Sequence, residues 1–214
     1  MAEYHPTDDM LLGYASGSLS DGLSLLVASH LTYCAPCRAR VAQLEGLGGA
    51  LLVREEDEAV AAPSLDTVLA RLGAQDVPAI RRETTRVADT VLPATLQARI
   101  GGNEREIPWK FRIPGLSEHV LESETGESVS LLRARPGVKM LSHTHHGDEA
   151  TLVFSGAMRD GDRVYRAGDV AVADETDEHR PEIVGDETCY CLIVMTGSMR
   201  FTGRFGKMLN FLNG

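Results

Sequence analysis

No stretch of the sequence approaches the roughly 20 apolar residues needed to span a bilayer. Its first residues, Met1 to Leu12, show no basic flank followed by an apolar run. Neither a membrane span nor a secretory signal is therefore expected, and the chain reads as cytoplasmic. Positive charge is also in short supply. With 21 Lys and Arg against 31 Asp and Glu, the formal charge is −10 and the pI is near 5.1. Such a surface gains nothing from meeting DNA or an anionic membrane, and a basic protein is the more natural partner. Cysteine is scarce: four residues form two close pairs, Cys34/Cys37 and Cys189/Cys191. This is not a disulfide framework, and in a reducing compartment a C-x-x-C pair more often binds metal or does redox work. There is no internal repeat and no low-complexity tract.

What is present suffices for two modest cores: 214 residues, 43% of them hydrophobic. The first part reads as short helices. Thr7 can cap a segment whose first turn holds Asp8 and Asp9, with Met10, Leu11 and Tyr14 on its apolar face. Gly17 and Ser18 break it, and Ser20 can cap a second helix in which Leu23, Leu26, Val27, His30 and Leu31 recur at helical spacing. Pro36 forbids straight continuation and suits the first turn of a third helix. That helix carries Val41, Leu44, Leu47 and Leu51 in a stripe and ends in the acidic run Glu55 to Glu58. Ser64 can cap a short fourth helix with Leu65, Val68, Leu69 and Leu72, detached from the first three. From Gly73 to Thr90 the chain is polar, with Pro78 and the cluster Arg81, Arg82 and Arg86, as befits a linker.

Beyond a short helix around Pro93 to Ile100, helical periodicity gives way to brief strand-like runs: Trp109 to Ile113, Val129 to Arg133, Ala150 to Phe154, Val170 to Val172 and Tyr190 to Val194. Turns at Pro136-Gly137, Asp160-Gly161, Ala167-Gly168 and Gly185-Asp186 separate them at the rhythm of a sandwich or barrel. The expected fold class is α + β multidomain: a small helical zinc-binding domain over 1–75, a linker over 76–92, and a β-barrel or jelly roll over 93–214.

His30, Cys34 and Cys37 spell H-x-x-x-C-x-x-C. The i, i+4 spacing places His30 and Cys34 at one end of the second helix, and the turn at Pro36 returns Cys37 to them. Zinc favours four tetrahedral imidazole or thiolate donors, and His5 is the remaining candidate in this region. The alternative is that these residues simply pack in a small core, but a module this small gains much of its stability from a closed metal site.

The stretch from His5 through Leu11, Leu12, Tyr14, Ala15 and Gly17 to V-A-S-H-L-T-Y-C-A-P-C resembles the zinc-binding anti-sigma domain of the ChrR group. The resemblance covers roughly the first seventy-five residues. It implies a helical module with His5, His30, Cys34 and Cys37 on zinc, which wraps a group IV (extracytoplasmic-function, ECF) sigma factor and keeps it from RNA polymerase. The fourth helix would touch the partner. Charge is compatible: residues 1–75 hold four Arg and no Lys against ten Asp and Glu, a formal −6, and sigma factors meet DNA through basic surfaces. A merely solvated acidic face is the bland alternative.

Further on, Gly137, His143, His145, Glu149 and Gly156 match the first cupin motif at every position. On a strand His143 and His145 point to one side, and Glu149 returns after the turn at Gly147. The second motif is partial: Gly168 and His179 keep their spacing, while Asp174, Thr176 and Ile183 replace the usual proline, glycine and asparagine. These departures put the loop conformation in question more than the ligand. A set of three histidines and a glutamate suits a divalent metal, with zinc first and iron, manganese or nickel compatible. A barrel that keeps these residues without an ion is the alternative. His146 should face solvent.

Cys189 and Cys191 share a strand face, but two residues of rise separate their Cα atoms by roughly 6.6 to 6.8 Å, at the limit of disulfide geometry. They are read as barrel packing, or as a thiol pair that oxidation alters.

The ChrR group joins both modules in this order. The resemblance therefore implies an anti-sigma factor, not an enzyme, whose cupin domain senses oxidative stress of the singlet-oxygen or organic-hydroperoxide type. The competing readings are a cupin metal-dependent dioxygenase and a metal-stabilised interaction module with an inert barrel.

Overall fold

The computed structural model describes residues 2–53, 63–74, 89–123 and 125–202. The acidic run Glu55 to Glu58 and the arginines Arg81, Arg82 and Arg86 lie outside this set. The first helices are α1 (Asp8–Ala15), α2 (Asp21–His30) and α3 (Ala35–Leu52). Thr7 caps α1 through its side chain, whereas Ser20, at the N-cap of α2, makes no side-chain cap bond. Its hydroxyl donates instead to Glu127 of the β-region. Pro36 falls in the first turn of α3. Helix α4 (Leu65–Ala74) starts after Ser64, whose Oγ accepts from the Thr67 N–H at 3.3 Å.

After α5 (Ala94–Ile100) come, among the described residues, eleven strands: β1 (Lys110–Ile113), β2 (Leu116–Leu121), β3 (Ser128–Ala134), β4 (His143–His146), β5 (Glu149–Ser155), β6 (Ala157–Asp160), β7 (Arg163–Arg166), β8 (Val170–Ala173), β9 (Glu182–Val184), β10 (Cys189–Met195) and β11 (Ser198–Phe201). They form an antiparallel six-stranded sheet in the order β1-β2-β3-β10-β5-β8, faced by a three-stranded sheet β7-β6-β9 and the pair β11-β4. This is the expected helical region followed by a cupin-like barrel.

Both faces of the large sheet are covered, so residues 149–154 of β5 are buried without interruption. Alternation assigns them to two sides. Val153, Cys189 and Cys191 pack inside the barrel with Met158, Tyr165 and Ile183. Ala150, Leu152, Phe154, Leu192 and Val194 pack on the other face with Leu96 of α5 and Leu26 of α2. Both cysteines are free.

Helix α2 therefore serves two cores. Leu26 joins the sheet, while Val27, the next residue round, packs with Leu11, Cys34, Cys37 and Val41. The approach is close at Gly22: a Cβ there would lie 2.7 Å from both Glu127 Oε2 and Val129 Cγ2. Glu127 completes the junction by accepting from the Gly22 N–H at 3.0 Å, and Ser29 meets Thr95 of α5 at 2.7 Å. Of the stretch expected as linker, residues 76–88 lie outside the described set. Leu92, near its end, is buried in the same core as Leu26.

Candidate metal centres

The first cluster sits where α2 ends and α3 begins. Cys34 is the N-cap of α3, and its sulfur accepts from the Cys37 N–H at 3.4 Å, so one thiol orients the other. His30 closes α2, and His5 arrives from the segment before α1. Its Nδ1 lies 3.4 Å from Cys34 Sγ and 3.5 Å from Cys37 Sγ. The donor atoms of His5, His30, Cys34 and Cys37 all fall within 4.8 Å of one another.

His30 is completely buried. Its Nδ1 donates to the Gly168 carbonyl at 2.7 Å, which leaves Nε2 as the lone-pair nitrogen. That Nε2 has no hydrogen-bond partner among the described residues. Burial lowers the His30 pKa, with the Gly168 bond opposing and the His5 charge adding to the effect. Burial, the hydrogen bond with Cys34 and the charges of Cys34 and Asp8 push the Cys37 thiol up to about 12. A buried orphan imidazole nitrogen facing two thiols and a second imidazole is a donor set that fits zinc, which would supply the missing partner and favour the thiolates.

The second cluster lies inside the barrel. His143 and His145 project from β4, Glu149 from the start of β5, and His179 from the loop before β9, where His143 and His179 exchange backbone hydrogen bonds of 3.1 Å. Donor atoms of all four residues again lie within 4.8 Å of one another. His145 Nε2 is 2.8 Å from His179 Nε2 and 3.4 Å from Glu149 Oε2. His146 is exposed, as alternation requires.

Orientation comes from outside the four. His143 Nδ1 donates to the Leu141 carbonyl and His179 Nδ1 to Asp160 Oδ2, each at 2.7 Å, so both present Nε2 inward. Thr151 Oγ1 donates to Glu149 at 3.2 Å. In the loop that lacks the usual proline and glycine, Asp174 Oδ1 accepts from the Thr176 N–H at 2.8 Å and its hydroxyl at 2.6 Å, and Asp177 accepts from the Asp174 N–H at 3.0 Å. An Asx turn thus shapes the loop in their place.

Burial, reinforced by the charges of His143 and His179, pulls the His145 pKa down to about 4. Burial also lowers His143, against its bond to Leu141. It raises Glu149, against the His179 charge and the Thr151 bond. At His179 burial acts downward, but the Asp160 bond and the Glu149 and Asp160 charges outweigh it and the pKa rises. His145 and Glu149 are therefore not a simple ion pair despite their proximity. Two imidazoles that resist protonation, His143 and His145, crowded with His179 beside a buried carboxylate, suit a divalent cation, which would neutralise the carboxylate and bond the ring nitrogens.

From the sequence Asp160 reads only as a turn residue, and Asp169, which sits beside the carbonyl that holds His30, carries no signal. Each acts across a long sequence separation.

Residues 97–200 match the family model described as the ChrR cupin-like domain. The chain is 35% identical over 208 residues to the anti-sigma-E factor ChrR of Cereibacter sphaeroides, covering 96% of this chain and 95% of that protein. It is also similar to a chain in the crystal structure of Rhodobacter sphaeroides SigE in complex with the anti-sigma ChrR. That match has a TM-score of 0.78 at 32% identity and covers 91% of this chain and all of that one.

Proposed function

This chain belongs to the ChrR family of anti-sigma factors with a cupin-like domain, and on that premise we propose that it sequesters a group IV (ECF) sigma factor through its N-terminal helices and releases it under oxidative stress. It is a regulator, not the dioxygenase that a barrel of three histidines and a glutamate also suggests. The working unit for capture is residues 1–75, with residues 93–214 as the sensor, and both act in the cytoplasm.

The observation that carries this reading is an apolar face that is exposed among the described residues. Leu47, Leu51 and Leu52 along the second half of α3 and Val53 at its C-cap are exposed, as are Leu65, Val68 and Leu69 on α4, with Val53 at 85% and Leu65 at 71%. Exposed leucines at helical spacing on two successive helices are what a groove in a partner would bury. Glu45 and Asp66, exposed on the same two helices, favour a basic partner.

His5, His30, Cys34 and Cys37 hold zinc in this reading, fixing the angle between α2 and α3 and so the direction of the apolar stripe. His143, His145, Glu149 and His179 hold a divalent metal, zinc first, with iron, manganese or nickel compatible. Singlet oxygen or an organic hydroperoxide acts at the barrel centre. The altered ligand set changes barrel packing and, through the shared α2 core, loosens the N-terminal helices.

The test uses the tagged full-length chain expressed in its native cell, with retained proteins identified by mass spectrometry. A group IV sigma factor is the expected capture, lost when the cells are exposed to the oxidant. A folded, zinc-loaded chain that retains no sigma factor would end the proposal.

A further inference from the structure

One turn of the barrel bonds the ring of His30 and the backbone of the two residues that precede His5. His30 donates to the Gly168 carbonyl at 2.7 Å. Next to it, the Asp169 side chain, only 4% exposed, reaches back across the whole chain. Its Oδ1 accepts from the Glu3 N–H at 2.6 Å and the Tyr4 N–H at 3.1 Å, and its Oδ2 from the Arg166 N–H at 2.7 Å. The Val170 N–H then donates to the Tyr4 carbonyl at 3.1 Å. Residues 3 and 4 are thus fastened immediately before His5.

The turn itself is fixed. Gly168 donates to Val153 at 2.9 Å, and Val153 to the Asp169 carbonyl at 3.1 Å. Gly168 has φ +96°, and a Cβ there would lie 2.9 Å from Tyr33 Cβ, so only glycine allows this approach.

We propose that the turn between β7 and β8 is a positioning element for the N-terminal metal cluster, with the Gly168 carbonyl setting the ring of His30 and the Asp169 carboxylate clamping the segment that delivers His5. This inference rests on the reading of that cluster as a metal site. Without the clamp, the segment that carries His5 into α1 is untethered from the barrel, and each binding event must order it anew. The same turn opens β8, whose last residue, Ala173, pairs with Glu149 and leads into the loop bearing His179. One four-residue strand therefore joins the supports of both clusters.

The experiment loads the full-length chain with cobalt(II) and follows its loss to excess EDTA. Cobalt bound by two thiolates gives strong sulfur-to-metal charge-transfer absorption, which a set of three histidines and a glutamate cannot produce, so the two centres are read separately. Asp169→Asn and Glu3→Pro should each release the thiolate-bound cobalt roughly tenfold faster than wild type, the lower end of what supporting residues contribute to metal sites. The weaker bands of the barrel centre should decay at the wild-type rate. Glu3→Pro deletes one N–H facing Asp169 and leaves every barrel residue intact, so its effect cannot come from barrel misfolding. Unchanged release in both variants overturns the proposal, as does simultaneous loss of both centres, which would make Asp169 a residue of general stability. Absence of charge-transfer bands in the wild type would remove the metal reading itself, and this inference with it.

Discussion

Asp160 Oδ2 lies 2.7 Å from His179 Nδ1 and accepts its N–H hydrogen bond, although the two are 19 positions apart along the chain. This bond selects the tautomer in which His179 offers Nε2 to the other ligands, and the carboxylate makes the ring a stronger donor. Asp160→Asn should therefore weaken metal binding by the barrel about 10–100-fold while leaving the thiolate cluster's metal untouched. Metal analysis after dialysis against graded chelator distinguishes the two centres.

Metal uptake by the N-terminal cluster should displace a proton from Cys37. Its thiol, pushed up to about 12, is protonated at neutral pH until the metal arrives. Affinity should accordingly rise with pH and fall as the solution is acidified. Calorimetry in buffers of different ionisation enthalpy measures the protons released. Cys37→Ser should remove this release, lower zinc content by one ion per chain and abolish sigma-factor capture.

The exposed stripe on α3 and α4 should behave as a binding surface. Leu51→Glu or Leu69→Glu is expected to weaken sigma-factor binding by about 2 kcal/mol or more, some thirtyfold, with no change in metal content. Surface plasmon resonance with the captured sigma factor gives the dissociation constants. Equal binding by both variants would move the interface elsewhere.

Substituting His143 or His145 by alanine should strip the barrel centre and abolish release under oxidant while sigma capture persists. Reporter transcription from a sigma-dependent promoter, with and without the oxidant, reads both properties. Constitutive release in these variants would mean that the barrel metal is needed for capture itself.

Gly22→Ala probes the junction between α2 and the sheet. Its Cβ would stand 2.7 Å from Glu127 and Val129, and relieving that overlap should cost about 1–3 kcal/mol. For a chain of this size that corresponds to a fall in Tm of roughly 2–12 °C, measured by calorimetry on the metal-loaded protein.

Most members of the two candidate clusters were legible because their spacings are local, although nothing local placed His5. H-x-x-x-C-x-x-C needs only one helix end and a turn, and His143 with His145 needs only a strand. His179 was legible from its distance to Gly168 even though the loop chemistry departs from the usual residues, because the Asp174 side chain supplies the turn that proline and glycine would have built. Strands β6, β7 and β9, at three or four residues, are too short for alternation to register.

By itself the sequence determined the class of fold, the position of the helical and β regions and most of the eight candidate ligands, since these depend on periodicity or on residues close along the chain, whereas His5 entered only as the remaining donor and through the family resemblance. Only the tertiary structure decided that α2 belongs to two cores, that Asp160 supports His179, and that Gly168 and Asp169 hold His30 and the approach to His5. The physical reason is that these contacts pair a side chain with a distant backbone amide or carbonyl, or with a carboxylate on another element. Every residue carries such backbone groups, so the amino-acid letters do not say which of them will meet until the sheet and helices are packed.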